Sequence, residues 1–417
     1  MHPSDQVVTI TAEFKADAPA RYAELRALGP VHRSRFSTGL EGWLVVGHDA
    51  ALDALVHPAL VKNSAHSRDK LDAANYTNDR PGIGLGGNML VSDPPDHTRL
   101  RKLVAGAFSP ARTRRLAPRI QQIADTLVDD LVPKGEADLV EAFTAPLPVA
   151  VISELLGVPA EDRADFRTWS SLSLSAPSDP QREAALNLNR YLADLIATKR
   201  TSPTDDLLSA LVAVHDEDDG RLNEVELVGT AVLLVVAGHE TTVNLLGNAL
   251  VALLRNPSQA DLLRTHPELT PGAVEEFLRY DSSVEHATPR FAAEDLVLAG
   301  TPIPRGDVVM VALSSASRDM PVPDQGDPAE LDVSRKGVRH LSFGHGIHYC
   351  LGAPLARLEA TTALTTLLHR IPDLRAAVPL DELDWVASGI MRGPIALPVR
   401  FTPQTSRAST TPNRQAD

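Results

Sequence analysis

Residues 343–352 read Phe-Gly-His-Gly-Ile-His-Tyr-Cys-Leu-Gly and contain the single cysteine of the chain. A thiolate that ligates a metal needs backbone N–H groups aimed at its sulfur and a positive environment, and a glycine-rich turn before a helix N-terminus supplies both. Gly344 and Gly346 permit left-handed backbone and the close approach of a flat cofactor. A buried, inert cysteine is the more ordinary alternative. A Cys–His nucleophile is a second alternative, but His345 and His348 share the same tight turn and nothing marks an oxyanion site.

The regions around this stretch have mainly helical patterns. One helix follows it over Leu355–Arg370, with a proline in its first turn and cations in its last turn. Another is predicted over Arg119–Val132. The longest pattern runs from Glu224 to about Leu254 and is apolar nearly all round, which predicts a buried helix on the order of 45 Å long.

Strand patterns are few and short. Val31–Phe36 and Trp43–Val46 flank a Gly/Ser turn and predict a hairpin, and two further runs lie at Asp307–Leu313 and Leu397–Phe401. No repeat and no linker composition divides the chain. We therefore predict an N-terminal extension (residues 1–16), a single domain (residues 17–405) and a polar C-terminal tail (residues 406–417).

Composition and charge disfavour several classes of protein. The 417 residues include 40 Lys and Arg against 54 Asp and Glu, and this net charge of −14 argues against nucleic acid as a partner. One cysteine excludes an internal disulfide and cysteine-rich zinc fingers. No apolar run reaches the roughly 20 residues that cross a bilayer, and no signal-peptide pattern is visible. We expect a cytoplasmic protein without a membrane partner.

A polar cluster, Ala237-Gly-His-Glu-Thr-Thr242, interrupts the apolar run of the long helix. Burying the Glu240 carboxylate there is costly unless it is partnered or used. A structural alternative is that the threonine side chains bond back to the preceding turn, as they commonly do in helices. A His-Glu-x-x-His zinc site is excluded, because residue 243 is valine.

Residues 343–352 match the haem-binding signature Phe-Gly-x-Gly-x-His-x-Cys-x-Gly of the cytochrome P450 family at every fixed position. The chain resembles this family over roughly Asp17–Phe401, and it looks most similar to stand-alone, ferredoxin-dependent actinobacterial enzymes that oxidise macrolides and other secondary metabolites. The resemblance implies the P450 fold, mainly α with small β-sheets and a long central helix over haem. It also implies haem b (iron protoporphyrin IX), bound within a loop that includes Phe343, Gly344 and Gly352, with Cys350 as the axial thiolate that favours O–O cleavage.

The same resemblance assigns roles to the polar cluster and to several cations. Thr241, beside Thr242, would hydrogen-bond the activated dioxygen, and Glu240 would relay protons. Gly238 would loosen the helix where dioxygen must fit, and Ala237 would face the haem together with Gly238 and Thr241. The expected partners of the two haem propionates are His97 and Arg101, four residues apart on one helix face, together with Arg290 and His348.

An ion pair is predicted between Glu276 and Arg279, which resemble the family's Glu-x-x-Arg and share one helix face. In many relatives an arginine from a later segment completes a triad. Here Glu330 stands at that place, and Arg335 is the candidate replacement.

Substrate-lining residues are expected in segments that border the cofactor in the family. Glu285 among them is a candidate to bind a cationic sugar, and a solvent-exposed carboxylate without such a role is the alternative. The full set is Met89, Val235, Val236, Val284, Glu285, Ile390 and Met391. Residues 82–87 satisfy G-x-G-x-x-G, but no strand precedes them and the region some twenty residues on is basic, so a flexible loop is preferred to a nucleotide site. The resemblance implies that this loop lies over the distal haem face and helps to form the substrate pocket.

A local excess of positive charge stands against the acidic total. Between His97 and Arg119 there are seven cations and no acid, and further cations flank the cysteine loop. A solvated helix face is the ordinary explanation. By the resemblance both segments border the proximal haem face, which predicts a dock for an acidic ferredoxin, itself reduced by an NAD(P)H-dependent ferredoxin reductase. The expected dock residues are Arg99, Lys102, Arg112, Arg115 and Arg339.

The sequence thus predicts a monomeric haem-thiolate monooxygenase. It would insert one oxygen atom from O₂ into a bulky apolar small molecule, by hydroxylation or epoxidation, with a macrolide, polyketide or other secondary metabolite as substrate. A steroid or terpenoid hydroxylase and a non-catalytic haem protein that only binds a ligand are the alternatives. A third hypothesis, a nicotinamide dehydrogenase, is supported by residues 82–87 alone and is disfavoured.

Overall fold

The computed structural model describes residues 7–36, 39–74, 76, 87–173, 178–216, 222–320, 326–386 and 388–404. Helices dominate this part of the chain, as the sequence predicts. In chain order they are α1 (Ala12–Ala16), α2 (Ala18–Leu28), α3 (His48–Val56), α4 (Arg68–Ala73), α5 (Asp96–Ala105), α6 (Pro110–Arg115), α7 (Ala117–Leu131), α8 (Pro146–Leu156), α9 (Arg163–Ser173), α10 (Asp179–Thr201), α11 (Leu207–Asp216), α12 (Glu224–Arg255), α13 (Pro257–Thr265), α14 (Thr270–Tyr280), α15 (Leu313–Arg318) and α16 (Ala353–Arg370).

The strands are short and mostly lie outside the helical core. They are β1 (Val8–Thr9), β2 (Val31–Arg35), β3 (Glu41–Val45), β4 (Leu60–Val61), β5 (Glu136–Asp138), β6 (Arg290–Ala292), β7 (Leu296–Leu298), β8 (Thr301–Ile303), β9 (Val308–Val311), β10 (Arg375–Ala376) and β11 (Pro398–Arg400). Helices α7 and α16 begin and end within two residues of their predicted bounds.

Helix α12 is the longest described element and forms the centre of the helical core. Its first turn is fixed by a capping box in which the Asn223 side chain accepts from the Glu226 N–H and the Glu226 carboxylate accepts from the Asn223 N–H, both over 2.9 Å. The 32 residues that follow extend about 48 Å. The helix is long and apolar enough to cross a membrane, although the sequence was expected to contain no such run. However, 61% of its apolar window is buried inside the fold, as in a core helix.

The main sheet has six strands in the order β1-β2-β3-β9-β6-β4. Strands β2 and β3 form the predicted hairpin, with Val31 opposite Val45 and Arg35 opposite Glu41. The predicted strand at residues 307–313 ends earlier than expected, because α15 already begins at Leu313. Two smaller sheets contain β10-β11-β5 and β7-β8.

Residues 7–16 are part of the fold, which corrects the expected extension of residues 1–16. Strand β1 pairs with β2 in parallel, with Val8 opposite Ser34. The Thr11 side chain caps α1 by accepting from the Phe14 N–H over 3.2 Å. Ile10 and Phe14 pack into the core of the sheet, and this burial holds the segment in place. The expected tail, residues 406–417, lies outside the described residues.

Candidate active site

The cysteine stands at the end of a closed turn that leads into α16. The Cys350 N–H donates to the Phe343 carbonyl over 2.8 Å. Gly344 and Gly346 both have a φ of +73°, a conformation that residues with side chains rarely adopt. A Cβ at Gly346 would also lie 2.8 Å from a methyl carbon of Val56. The turn therefore requires glycine at these positions, and it holds Cys350 at the wall of a cavity.

Backbone donors and two cations surround the sulfur. Burial raises the pKa of the Cys350 thiol, whereas hydrogen bonds from the Gly352 and Ala353 N–H groups and the charges of Arg101 and Arg357 act to lower it. All four groups favour the thiolate. They provide the environment that a thiolate ligand needs, and a metal ion bound to the sulfur would stabilise that form further.

A cavity of about 500 Å³ connects the cysteine with the middle of α12. The face of α12 that lines it includes Val236, Ala237, Gly238, Thr241 and Thr242. Their spacing places them on neighbouring turns of one helix face. The structure thus brings these residues, all named from the sequence, to the same cavity as Cys350.

Gly238 allows two helices to approach closely. Helix α12 continues as a regular α-helix through this residue, so no loosened turn is present. A Cβ at Gly238 would lie 2.8 Å from the Cδ1 atom of Ile152 on α8. The missing side chain therefore serves the packing of α12 on α8, besides leaving backbone at the cavity.

The Thr241 hydroxyl donates to the Ala237 carbonyl over 2.9 Å, which is the back-bond anticipated as the structural alternative. The side chain nevertheless lines the cavity. Both features are compatible, because a hydroxyl that donates one hydrogen bond keeps two lone pairs for accepting others.

Glu240 lies on a different face of α12 and is not among the cavity-lining residues. One carboxylate oxygen is 3.6 Å from the His239 Nε2 atom. Burial raises the pKa of Glu240, but hydrogen bonds from His239 and Ser171 and the charge of Arg167 outweigh burial and lower it. The carboxylate is therefore held ionised between α12 and α9 rather than at the cavity.

Five nitrogen-bearing side chains line one edge of the cavity, which we call the cationic edge: His97, Arg101, Arg290, His348 and Lys62. The His97 and His348 rings lie 4.4 Å apart between centroids. Burial and the charges of Lys62, His97, Arg290 and Arg101 lower the pKa of His348 to about 2. Burial, offset in part by the nearby Asp93, likewise lowers the pKa of Arg290 to about 10.

The cationic edge has too little negative charge of its own. Asp93 is near, but its carboxylate accepts from the backbone N–H groups of Lys62 and Asn63 over 2.9 Å. No side chain of the described residues makes a hydrogen bond of good geometry with either ring nitrogen of buried His97, although the Ile347 backbone interacts with the ring. Two carboxylates would satisfy this edge.

The donor set therefore fits haem. Cys350 would ligate the iron, and the cationic edge would hold the propionates. No group of three or more His, Cys, Asp or Glu side chains that could hold another metal ion occurs within the described residues.

The predicted ion pair of Glu276 and Arg279 is fully buried and bidentate, with N–O distances of 2.7 and 2.8 Å. Arg335 lies 3.3 Å from Glu276 Oε1. Glu330 contributes its backbone carbonyl, which accepts from Arg279 and Arg335 over 3.2 and 3.3 Å. The guanidinium that the sequence lacks at residue 330 is thus supplied from residue 335.

Most of the expected substrate-pocket residues line the cavity, namely Met89, Val236, Val284, Ile390 and Met391. Val235 and Glu285 do not. Val235 points into the helical core and is fully buried. Glu285 is also fully buried and lies 3.0 Å from the Lys15 ammonium, so it cannot bind a cationic sugar. Residues 82–86 of the glycine-rich stretch lie outside the described residues.

The five cations expected to form the ferredoxin dock differ in exposure and in whether an acid already pairs with them. Lys102, Arg112, Arg115 and Arg339 are exposed. Arg99 is corrected: it bonds Glu226 at the start of α12 over 3.0 Å and Asp96 over 3.0 Å, so its charge is already paired.

Three charged residues that line the cavity were missed by sequence reasoning: Lys15, Lys62 and Glu359. Lys62 donates to the Thr288 and Pro289 carbonyls over 2.9 and 3.0 Å and so supports the segment that carries Arg290. Burial raises the pKa of Glu359 well above its usual value. An isolated lysine or glutamate in an amphipathic segment gives no signal of such a position; only the tertiary structure does.

Comparison with known proteins agrees with this geometry. The family model for cytochrome P450 matches residues 181–371. The chain is 49% identical over 394 residues to cytochrome P450 monooxygenase PikC of Streptomyces venezuelae, covering 93% of this chain and 92% of that protein. It is 46% identical to vitamin D(3) 25-hydroxylase of Pseudonocardia autotrophica, covering 92% and 94%.

The same holds for solved structures. The tirandamycin C-bound P450 monooxygenase TamI superimposes with a TM-score of 0.87 at 44% identity, covering 94% of this chain and all of that one. With the glycine-rich turn before Cys350, the cavity under α12 and the cationic edge, these similarities establish that the chain belongs to the cytochrome P450 family and is a haem-thiolate monooxygenase.

Proposed function

We propose that the enzyme hydroxylates or epoxidises a bulky apolar small molecule, a macrolide, another polyketide or a related secondary metabolite. The observation that carries this proposal is the largely aliphatic lining of the cavity away from the cationic edge, on the α12 side of Cys350. The haem would fill part of the cavity, and apolar walls of this kind suit the remaining space to a substrate held mainly by apolar contacts. Relatives named as a 6-deoxyerythronolide B hydroxylase, a polyketide biosynthesis cytochrome P450 and a mycinamicin IV hydroxylase/epoxidase support the same substrate class.

A steroid-like substrate is the second candidate. It is favoured by the similarity to a vitamin D(3) 25-hydroxylase, which is nearly as close in identity as the similarity to PikC. A panel of macrolactones, glycosylated macrolides, steroids and terpenoids, monitored by the spin-state shift of the haem and followed by product analysis, separates the two. We expect macrolactones to give the largest shift. A shift confined to steroids would reassign the substrate class.

The proposed cofactor is haem b with Cys350 as the axial ligand. When bound, it supplies the activation of dioxygen for transfer to carbon. The pyridine haemochrome spectrum of the purified protein should be that of haem b. Cys350→Ser should abolish the thiolate-specific carbon monoxide band, and an unmoved band would overturn the assignment.

Protons for dioxygen cleavage would pass through α12. The Thr241 side chain lines the cavity, and because its hydroxyl proton is donated to the Ala237 carbonyl, the hydroxyl oxygen can present a lone pair there. Glu240 and His239 stand behind it, in contact with Ser170 and Ser171 on α9. Glu240 would take part in such a relay from the α9 side of the helix, without contact with the cavity, while the apolar walls exclude bulk water. Thr242, buried beside Thr241, lines the same wall.

The electron donor is proposed to be an acidic ferredoxin, reduced by an NAD(P)H-dependent ferredoxin reductase. Helix α6 contacts α16, and Arg101 donates to the Tyr349 carbonyl over 2.7 Å, so both basic segments adjoin the cysteine turn. The dock would comprise Lys102, Arg112, Arg115 and Arg339, whose exposed charges steer an acidic partner.

Charge reversal tests this dock. The double variant Arg112→Glu/Arg115→Glu should slow reduction by ferredoxin at least tenfold at low salt and leave peroxide-driven turnover unchanged. Arg190→Glu, on the exposed face of α10, is the matched control. Equal slowing of both reactions, or equal slowing by the control, would overturn the proposal.

We further propose that the enzyme acts as a monomer in the cytoplasm. Light scattering of the purified holoenzyme and fractionation of the producing cells test these two statements directly. A dimer mass, or recovery with the membrane fraction, would overturn them.

A further inference from the structure

Residues 388–391 form one wall of the substrate cavity. All four of them, Ser388, Gly389, Ile390 and Met391, contribute lining atoms. The segment has no helix or strand of its own, apart from an isolated bridge between Met391 and Val284. Its backbone conformation must therefore be held by contacts with the rest of the chain.

Every carbonyl of this segment accepts a hydrogen bond from outside it. The Lys15 ammonium donates to the Ser388 carbonyl and, over 3.1 Å, to the Met391 carbonyl. His286 donates to the Gly389 carbonyl over 2.9 Å, and the Glu285 N–H donates to the Ile390 carbonyl over 2.8 Å. The four carbonyls are thereby hydrogen-bonded to the surrounding fold, and the Ile390 and Met391 side chains line the cavity.

Lys15 is the member of this network that comes from a distant part of the chain. Its side chain is 6% exposed and lies 3.0 Å from Glu285, which is fully buried. Burial raises the pKa of Glu285, but Lys15, His286 and Arg392 outweigh burial and lower it, so the Glu285 carboxylate is held ionised. Arg392 donates to the Lys15 carbonyl and bonds Asp281 over 2.8 Å, which fixes the lysine backbone as well.

We propose that Lys15 is a specificity-determining positioning residue: by binding the Ser388 and Met391 carbonyls it fixes residues 388–391 so that Ile390 and Met391 shape the substrate cavity. Without the ammonium, two buried carbonyls lose their donor, and an unbound buried polar group is costly. The segment would then turn to find another donor, and the shape of the cavity wall would change. The inference rests on the proposed function only in requiring a haem in the cavity, and it holds for any substrate class.

The test compares two azoles that bind haem iron through the same kind of ring nitrogen. Imidazole is small and senses the iron position, whereas clotrimazole carries three phenyl rings that fill the cavity. Dissociation constants for both are measured by spectral titration of the holoenzymes. The variants are Lys15→Met, the charge-balanced Lys15→Met/Glu285→Gln, and the matched control Lys199→Met. Lys199 is also buried in an ion pair, 2.6 Å from Asp206, but neither residue lines the cavity.

Both Lys15 variants should bind clotrimazole about tenfold more weakly, because a misfit of one methylene in an apolar pocket changes affinity by about that factor or more. Imidazole binding should change less than twofold, and Lys199→Met should leave both ligands unaffected. Product distribution from the preferred substrate should shift with the clotrimazole affinity.

The charge-balanced variant decides the outcome, because it lacks the ammonium without leaving Glu285 as an uncompensated buried charge. Unchanged clotrimazole affinity in that variant would overturn the proposal. Failure of that variant to fold would also overturn it, since Lys15 would then serve the fold alone. A parent protein without an imidazole-induced spectral shift would instead refute the haem assignment.

Discussion

Replacing Arg335 with alanine should destabilise the enzyme through the buried carboxylate of Glu276. The guanidinium of Arg335 is 1% exposed and lies 3.3 Å from Glu276 Oε1, and it also donates to the Asp327 and Glu330 carbonyls. Breaking a buried ion pair costs about 3–5 kcal/mol. Because the bidentate bond from Arg279 remains, the lower end applies, and we expect a loss of about 3 kcal/mol.

Urea denaturation of the holoenzyme, followed by tryptophan fluorescence, measures this change. Two matched controls are available. Arg339→Ala removes an exposed guanidinium four residues away. Glu330→Ala removes an exposed side chain and keeps the backbone carbonyl, which is the only part of residue 330 that bonds the buried arginines. Both should stay within about 0.5 kcal/mol of the parent. The slope of the free energy of unfolding against urea concentration should be the same for all variants. If Arg335→Ala is then no less stable than these controls, Arg335 does not complete the triad and the reasoning is wrong.

Three other predictions concern the cavity and its surroundings. Thr241→Ala should uncouple electron use from product, raising the peroxide formed per NADPH consumed; unchanged coupling would exclude its hydroxyl from the reaction. Gly238→Ala should cost about 1–3 kcal/mol by overpacking against Ile152, and Ile152→Val, which removes the Cδ1 atom, should recover part of that loss in a double-mutant cycle; no recovery would refute the contact. Burial opposes ionisation of Glu275, but its bonds to Arg357 and His340 lower its pKa to about 2, so the stabilisation is full above the ordinary pKa and is lost as the pH falls toward 2. Glu275→Gln should therefore be less stable than the parent by about 2 kcal/mol at pH 7, with the gap narrowing below pH 4.5, and a pH-independent gap would contradict this assignment.

Elements with a strong local pattern could be predicted from the sequence. The long helix, the β2–β3 hairpin and the turn before Cys350 depend on capping residues, alternation and glycine conformation, all of which are local. The resemblance to a family also placed His97, Arg101, Arg290 and His348 at the cofactor, and the structure has all four lining the cavity. Periodicity alone would have left them as surface charges.

Features that depend on long-range packing could not be predicted. Val235 lies in an apolar run with no polar face, so the sequence does not show which side of α12 meets the cavity. Glu285 was expected to meet the substrate. Its actual partner is a lysine 270 residues earlier in the chain, and no pattern near residue 285 indicates such a pairing. Lys62 and Glu359 are isolated charges whose burial follows only from tertiary contacts.

The pairing of Lys15 with the Met391 carbonyl spans 376 positions and has a consequence for biosynthesis. On the ribosome, helix α1 with Lys15 emerges long before residues 388–391 are translated. This wall of the cavity therefore cannot form until almost the whole polypeptide has been synthesised. Contacts of such sequence separation form late, since closing so large a loop is entropically expensive. A nascent chain arrested before residue 388 would leave this ammonium without its carbonyl acceptors, and shortening the amino terminus past residue 15 would alter the finished pocket from the opposite end.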